Sequence, residues 1–231
     1  MIDIRLASQR GTGQFSWLNS KHSFSFADYY NPDRMGFASL SVINDDTVSP
    51  GAGFDTHGHK DMEIISYVTQ GEMLHKDSQG NIQKLPAGEF QLMSAGKGIY
   101  HSEFNASQDT PLKFLQIWIE PDGLGGDAYY QQKKFTQTGA ITAVISPTGE
   151  AGTLKIKQDA YLYRLSLGAQ EQVNFETKQH RKLYLHLIQG QLELEDHLLE
   201  AGDGAAITDL SHLHLAARGD EEVIGLIFDL A

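Results

Sequence analysis

An all-β fold is predicted by three features of the chain. Glycine is frequent, at 23 of 231 residues, and gathers in turn-like clusters such as Ser78-Gln79-Gly80-Asn81, Gly96-Lys97-Gly98 and Gly123-Leu124-Gly125-Gly126. Between the clusters run short segments rich in β-branched and aromatic residues. No long window repeats its apolar residues at the 3.6-residue period of a helix. Many short strands so spaced describe a sandwich or a barrel.

Taken in order, the strand-like segments are 37–43, 62–69, 114–119, 161–167, 184–187 and 223–228. The turn signal around Asp77-Ser78-Gln79-Gly80-Asn81 marks the clearest hairpin. A faint internal repeat joins two halves. Tyr67 to Met73, with Gly71 at its turn, has a counterpart in His186 to Leu192 around Gly190. Pro86-Ala87-Gly88-Glu89-Phe90 has one in Glu200-Ala201-Gly202-Asp203-Gly204. The hairpin between these glycines is shorter in the second copy, as expected where loops absorb deletions. With a boundary in the polar stretch from Gln131 to Thr138, the chain divides into domains 1–133 and 134–231.

Composition limits the chemistry. The chain has no cysteine and ten histidines, so disulfides, thiolate metal sites and cysteine nucleophiles are excluded, and a metal must be held by imidazole and carboxylate. The net charge of −12 disfavours direct nucleic-acid binding, which requires clustered cations. No run of about 18 apolar residues and no leader-like N-terminus is present, so a cytoplasmic protein without membrane association is expected.

Two segments concentrate the candidate chemistry. In Phe54-Asp55-Thr56-His57-Gly58-His59, residues two apart on a strand share a face, so His57 and His59 converge while Gly58 points away. Ile99-Tyr100-His101-Ser102-Glu103 repeats the geometry with His101 and Glu103. Placed side by side, the two strands offer three neutral nitrogens and one carboxylate, a donor set for a divalent transition metal with room for further ligands.

The run from Gly51 through His57-Gly58-His59 and Glu63 to Gly71 resembles the first cupin motif, with one extra residue before the last glycine. Gly88, Ser94-Ala95-Gly96, His101 and Asn105 resemble the second, with Ser94 in place of the family's proline and a longer gap before His101. His22 to Phe26, Phe54 to Gly71, His75 to Asn81 and Met93 to Glu103 are similar to the pirin family more specifically.

That resemblance implies a bicupin of two antiparallel β-barrels of jelly-roll type, with the metal only in the first. It also implies that the carboxylate ligand comes from Glu103, whereas standard cupins use the position of Glu63. Glu63 lies about 13 Å beyond His59 along an extended strand at ~3.3 Å per residue, and is expected to support the site or line the pocket. In the second half the count back from Gly190 places Lys178 where His59 would stand. His212 and His214 fall near the position of His101 and are read as strand histidines without metal. His75, His186 and His197 are assigned no chemistry.

Bacterial pirins of this type resemble quercetin 2,3-dioxygenases, which open the central ring of a flavonol with O₂ and release carbon monoxide. The resemblance thus implies a small aromatic substrate and O₂, with iron as the first expectation for the metal; Cu, Mn, Co, Ni or Zn suits the same donors. Glu103 would be the catalytic base, and His22, Phe24, Phe26 and Trp118 would line the pocket. A monomer is expected. The alternative implied by the family is a metal- or redox-responsive regulator that binds a protein partner without turnover.

Overall fold

The structure, a computed structural model, describes residues 1–231. The first strands in chain order are β1 (Ile2–Arg5), β2 (Gly11–Gln14), β3 (Leu18–His22), β4 (Leu40–Val48), β5 (Gly53–His59) and β6 (Glu63–Gln70). Next come β7 (Glu72–Asp77), β8 (Ile82–Pro86), β9 (Glu89–Ser94), β10 (Ile99–Asn105), β11 (Leu112–Ile119) and β12 (Tyr129–Lys134). The second half contributes β13 (Ile141–Ser146), β14 (Leu154–Lys155), β15 (Ala160–Leu167), β16 (Gln172–Glu176) and β17 (Lys182–Gln189). It ends with β18 (Gln191–Leu194), β19 (His197–Glu200), β20 (Gly204–Ile207), β21 (His212–Arg218) and β22 (Val223–Leu230). Helix is confined to the 3₁₀ turns Ala7–Gln9 and Glu150–Gly152. No helix is long and apolar enough to cross a membrane.

The strands form two units. The N-terminal unit is Gly11–Phe135 with Ile156–Gln158; the C-terminal unit is Met1–Arg10, Thr136–Lys155 and Asp159–Ala231. The span 1–133 expected for the first domain is therefore corrected at the chain start. β1 pairs antiparallel with β20, Ile2 opposite Ile207, because its alternating Ile2 and Ile4 pack against the C-terminal core.

Each unit holds one seven-stranded and one four-stranded sheet. The N-terminal orders are β12-β9-β6-β11-β4-β3-β2 and β5-β10-β7-β8; the C-terminal orders are β1-β20-β17-β22-β15-β13-β14 and β16-β21-β18-β19. Strand for strand the orders correspond, as the faint repeat predicts. No pairing joins the outer strands of a sheet, so each unit is a pair of open sheets and not a hydrogen-bonded closed barrel.

Side chains from both sheets fill the space between them. In the C-terminal unit Leu185, Leu187 and Ile227 of the large sheet meet Phe175, Leu192, Leu213 and Leu215 of the small one. In the N-terminal unit Val48, Val68 and Phe114 meet Met73 and Leu85. Each such side chain is fully or almost fully buried, which contributes about 1.5–3 kcal/mol apiece to folding. The repeat's turns are equally alike. Gly71 and Gly190 have φ +81° and +80°, and a Cβ would stand 2.9 Å from the Pro111 carbonyl oxygen or 2.7 Å from that of Glu222, so only glycine fits either turn.

Candidate metal centre

The site is built on the four-stranded sheet of the N-terminal unit. β10 lies between β5 and β7, with His101 opposite His57 on one side and Asp77 on the other. Between His101 and Glu103 the β5 register slips, so that Glu103 faces Phe54. Such a bulge re-aims side chains at a site. Gly53 allows it: a Cβ there would lie 2.3 Å from the Glu103 carbonyl oxygen.

The predicted convergence of imidazoles is present. Ring centroids are 4.8 Å apart for His57 and His59, 4.4 Å for His57 and His101, and 4.8 Å for His59 and His101. One nitrogen from each lies within 4.8 Å of the other two. His57 Nδ1 donates to the Asp55 carbonyl at 2.7 Å, which leaves Nε2 as its free lone pair. Burial, then the neighbouring imidazoles, pushes His59 down to about 4 and His101 down to about 3. Both are therefore neutral at pH 7, the form that can ligate a metal.

Glu103 belongs to a second, overlapping triad. One donor atom each from His75, His101 and Glu103 lies within 4.8 Å, and all three residues are buried. Glu103 Oε1 accepts from Ser66 Oγ at 3.1 Å. Its Oε2, both ring nitrogens of His101 and Nδ1 of His75 are buried with no hydrogen-bond partner. Unpaired buried polar atoms are costly, and lone pairs gathered this closely suit a cation. The donor set of nitrogens and one carboxylate fits a divalent transition metal.

Sequence reasoning missed His75 and its partner. His75 Nε2 bonds Asp77 Oδ2 at 3.0 Å, and the ring stacks on Tyr130 with centroids 4.8 Å apart. Burial opposes ionisation of Asp77, yet hydrogen bonds from His75 and Asn81 hold its carboxyl below the ordinary value. The available signal was the His-x-acid spacing in β7, the same-face pattern that singled out His101 and Glu103. Asp46 was also missed. It is buried, and burial, opposed by a Ser20 hydrogen bond and assisted by Asp45 and Glu103, pushes its carboxyl up to about 7.

Glu63 joins neither triad. Its Oε2 accepts from Ser94 Oγ at 2.7 Å and from the Lys157 amide at 3.3 Å, and burial, opposed by these bonds, raises its pKa. A wall of rings runs from the site: His59 meets Trp118 edge-on at 5.0 Å, Trp118 meets Phe26 at 5.4 Å, and Phe26 meets His22 at 5.3 Å. His22 Nδ1 is held by Asn44 Oδ1 at 2.7 Å. Phe24 is buried. Trp118 Nε1 is buried without a partner.

The C-terminal unit has no such cluster. Leu213 and Leu215 point into its core, while His212 is exposed and His214 bonds Asn174 at 3.1 Å. Thr177 follows β16 where His59 ends β5; the loop from β16 to β17 is longer than that from β5 to β6, so the count that reached Lys178 is corrected to Thr177.

Two units of paired, mainly antiparallel sheets, one with nitrogen and carboxylate donors on adjoining strands, define a cupin-type metalloprotein. The chain belongs to the pirin family. The family profile described as Pirin matches residues 4–119, and one described as Quercetinase C-terminal cupin domain matches residues 143–230. A protein named quercetin 2,3-dioxygenase from Escherichia coli K12 is 44% identical over 230 residues, 100% of this chain and 99% of that one. A pirin-like protein from Caulobacter vibrioides is 38% identical over 97% of this chain and 98% of its own. The crystal structure of the bacterial pirin YhhW from Escherichia coli in complex with nickel(II) superposes with a TM-score of 0.95 at 43% identity, covering 100% of this chain and 99% of that one.

Proposed function

We propose that this chain is a metal-dependent dioxygenase that opens the central ring of a flavonol such as quercetin. The observation that carries this reading is the set of orphaned donors on His101 and Glu103 bordered by the aromatic wall that begins at Trp118. Names carried by relatives at 38–44% identity support the same substrate class.

His57, His59, His101 and Glu103 would hold the ion, and iron is the metal we propose. When bound, the ion supplies Lewis acidity that favours the ionised form of the flavonol's 3-hydroxyl. Glu103 Oε2, without a partner, receives that proton. Ser66 Oγ, donating to Oε1 at 3.1 Å, fixes the carboxylate and leaves its second oxygen free. Trp118 and Phe26 provide flat walls for the rings, and Trp118 Nε1 donates to a substrate oxygen. Glu63, tied to Ser94 and Lys157, supports the strand ends around the pocket without touching the ion. Overall, both atoms of O₂ enter the ester product and one ring carbon leaves with its oxygen as carbon monoxide.

The test is to supply iron-loaded and nickel-loaded protein with quercetin in air, following loss of the flavonol absorbance and release of carbon monoxide. Both are expected of the intact protein, and neither of His57→Ala or His101→Ala. Equal bleaching by the free ion overturns the proposal.

A further inference from the structure

The corresponding strand orders of the two units allow residue-by-residue comparison. Counted from the paired turn glycines Gly71 and Gly190, His75 corresponds to Leu194, and β10 and β21 face these residues with Glu103 and Leu215. His101 then corresponds to Leu213, and its partner His57 to Phe175. Every one of these counterparts is apolar and buried in the C-terminal core. Where the first unit gathers donors, the second is packed with hydrocarbon.

Two positions at the edge of the site, those of Trp118 and His59, were not filled in this way. Trp118, opposite Ile64 and Val42, corresponds to Asp229, opposite Leu183 and Tyr161. His59 corresponds to Thr177. Asp229, Thr177 and Tyr161, with Tyr163, Asp159 and Arg181, line an open cleft of about 630 Å³, within the size range of small-molecule sites.

The chemistry of the cleft is specific. Arg181 is clamped by Asp229 Oδ1 at 2.5 Å, by Asp159 Oδ1 at 2.8 Å and by the carbonyl oxygens of both residues. Its guanidinium lies over the Tyr161 ring at 5.7 Å, and Tyr161 stacks on Tyr163. Thr177 Oγ1 donates to Asp229 Oδ2 at 2.6 Å. Arg181 is fully engaged by the two carboxylates, so the cluster carries one net negative charge and offers no free cation to an anionic ligand. What remains is a pair of flat phenol faces with hydroxyl, carboxylate and amide groups around them. Burial, assisted by Asp229, pushes the Tyr163 phenol up to about 12, so it stays a donor.

We infer that the C-terminal unit carries a second, metal-free binding site, formed by Tyr161, Tyr163, Thr177, Arg181 and Asp229, for a neutral ring compound bearing several hydroxyls. Such a compound stacks on the tyrosines and bonds through its hydroxyls. A polyphenol and a saccharide both have this chemistry. The site does not depend on the reaction proposed for the first unit.

The experiment uses isotope-labelled full-length protein loaded with zinc, titrated separately with quercetin, methyl glucoside and a quercetin glucoside, and followed by amide chemical shifts. Saturable shifts are expected at residues 161–163, 176–181 and 229. A response to quercetin alone identifies a polyphenol site, and a response to methyl glucoside a saccharide site; either supports the proposal. Gln179, exposed on the rim, tests the location without disturbing the core. Gln179→Trp should weaken binding by about tenfold, equivalent to about 1.4 kcal/mol, and leave shifts at 54–59 and 99–105 unaltered. Shifts confined to those N-terminal segments, or no saturation by any of the three compounds, overturn the proposal, whatever the outcome of the flavonol assay.

Discussion

His75 and Asp77 form a buried pair, Nε2 to Oδ2 at 3.0 Å, with both side chains inaccessible to solvent. Asp77 is anchored in turn by the Gln79 and Asn81 amides at 2.9 and 3.1 Å and by the Asn81 side chain. The hairpin turn therefore sets the ring that faces Glu103 and His101. Because the carboxylate accepts from Nε2, the lone pair of a neutral His75 lies on Nδ1, which is buried without a partner.

Asp77→Asn should disturb the proposed centre without removing a proposed ligand. The new amide can donate to Nε2 and so reverse the tautomer of His75. Metal affinity should fall by up to about tenfold, the low end of the range for direct partners of metal ligands, because Asp77 acts through His75, which is not itself a proposed ligand. Chelator competition measures it, and an unchanged affinity would show that the pair does not bear on the centre.

Gly53→Ala probes the bulge. A Cβ 2.3 Å from the Glu103 carbonyl oxygen must push β5 away from β10, at a cost of about 1–3 kcal/mol. Thermal unfolding should show a lower melting temperature together with weaker metal binding, since the displaced strand carries His57 and His59.

Trp118→Phe keeps the aromatic wall beside His59 and deletes the unpaired indole N–H. If that group binds a substrate oxygen, KM for quercetin should rise several-fold, equivalent to about 1 kcal/mol for a lost hydrogen bond, with kcat little altered. Steady-state kinetics at fixed metal loading separate the two parameters.

His186 gives the C-terminal unit a definite acid response. Burial, assisted by Arg10, pushes its imidazole down to about 3 from the ordinary 6.5. The unfolded chain takes up a proton below pH 6.5 that the folded chain refuses until about pH 3, so this group lowers stability as pH falls through that window and has no effect above it. Between pH 6.5 and pH 5 the loss should be on the order of 2 kcal/mol. Urea unfolding should show a shallower decline for His186→Leu; parallel pH profiles would refute the assignment.

Alternation along single strands was legible in the sequence, and it correctly paired His57 with His59. The turn at Asp77 to Asn81 was equally legible, because the amides of Gln79 and Asn81 and the side chain of Asn81 all bond Asp77 locally. His75 was not. Its contribution arises only because β7 lies beside β10, a pairing between segments separated by two other strands. His212 and His214 show the limit most clearly: an offset of one residue turns a strand's side chains to the opposite face, and it is Leu213 and Leu215 that point inward.

The sequence by itself determined the all-β class, the twofold repeat and the histidine-and-carboxylate character of the candidate site, since these follow from composition and from a period of two along a strand. Tertiary structure decided which strands adjoin, that β1 completes the C-terminal sheet, and that Glu103 shares its surroundings with His75. These relations rest on register and loop length between distant segments, where a shift of one residue reverses what is buried and no local pattern records the choice.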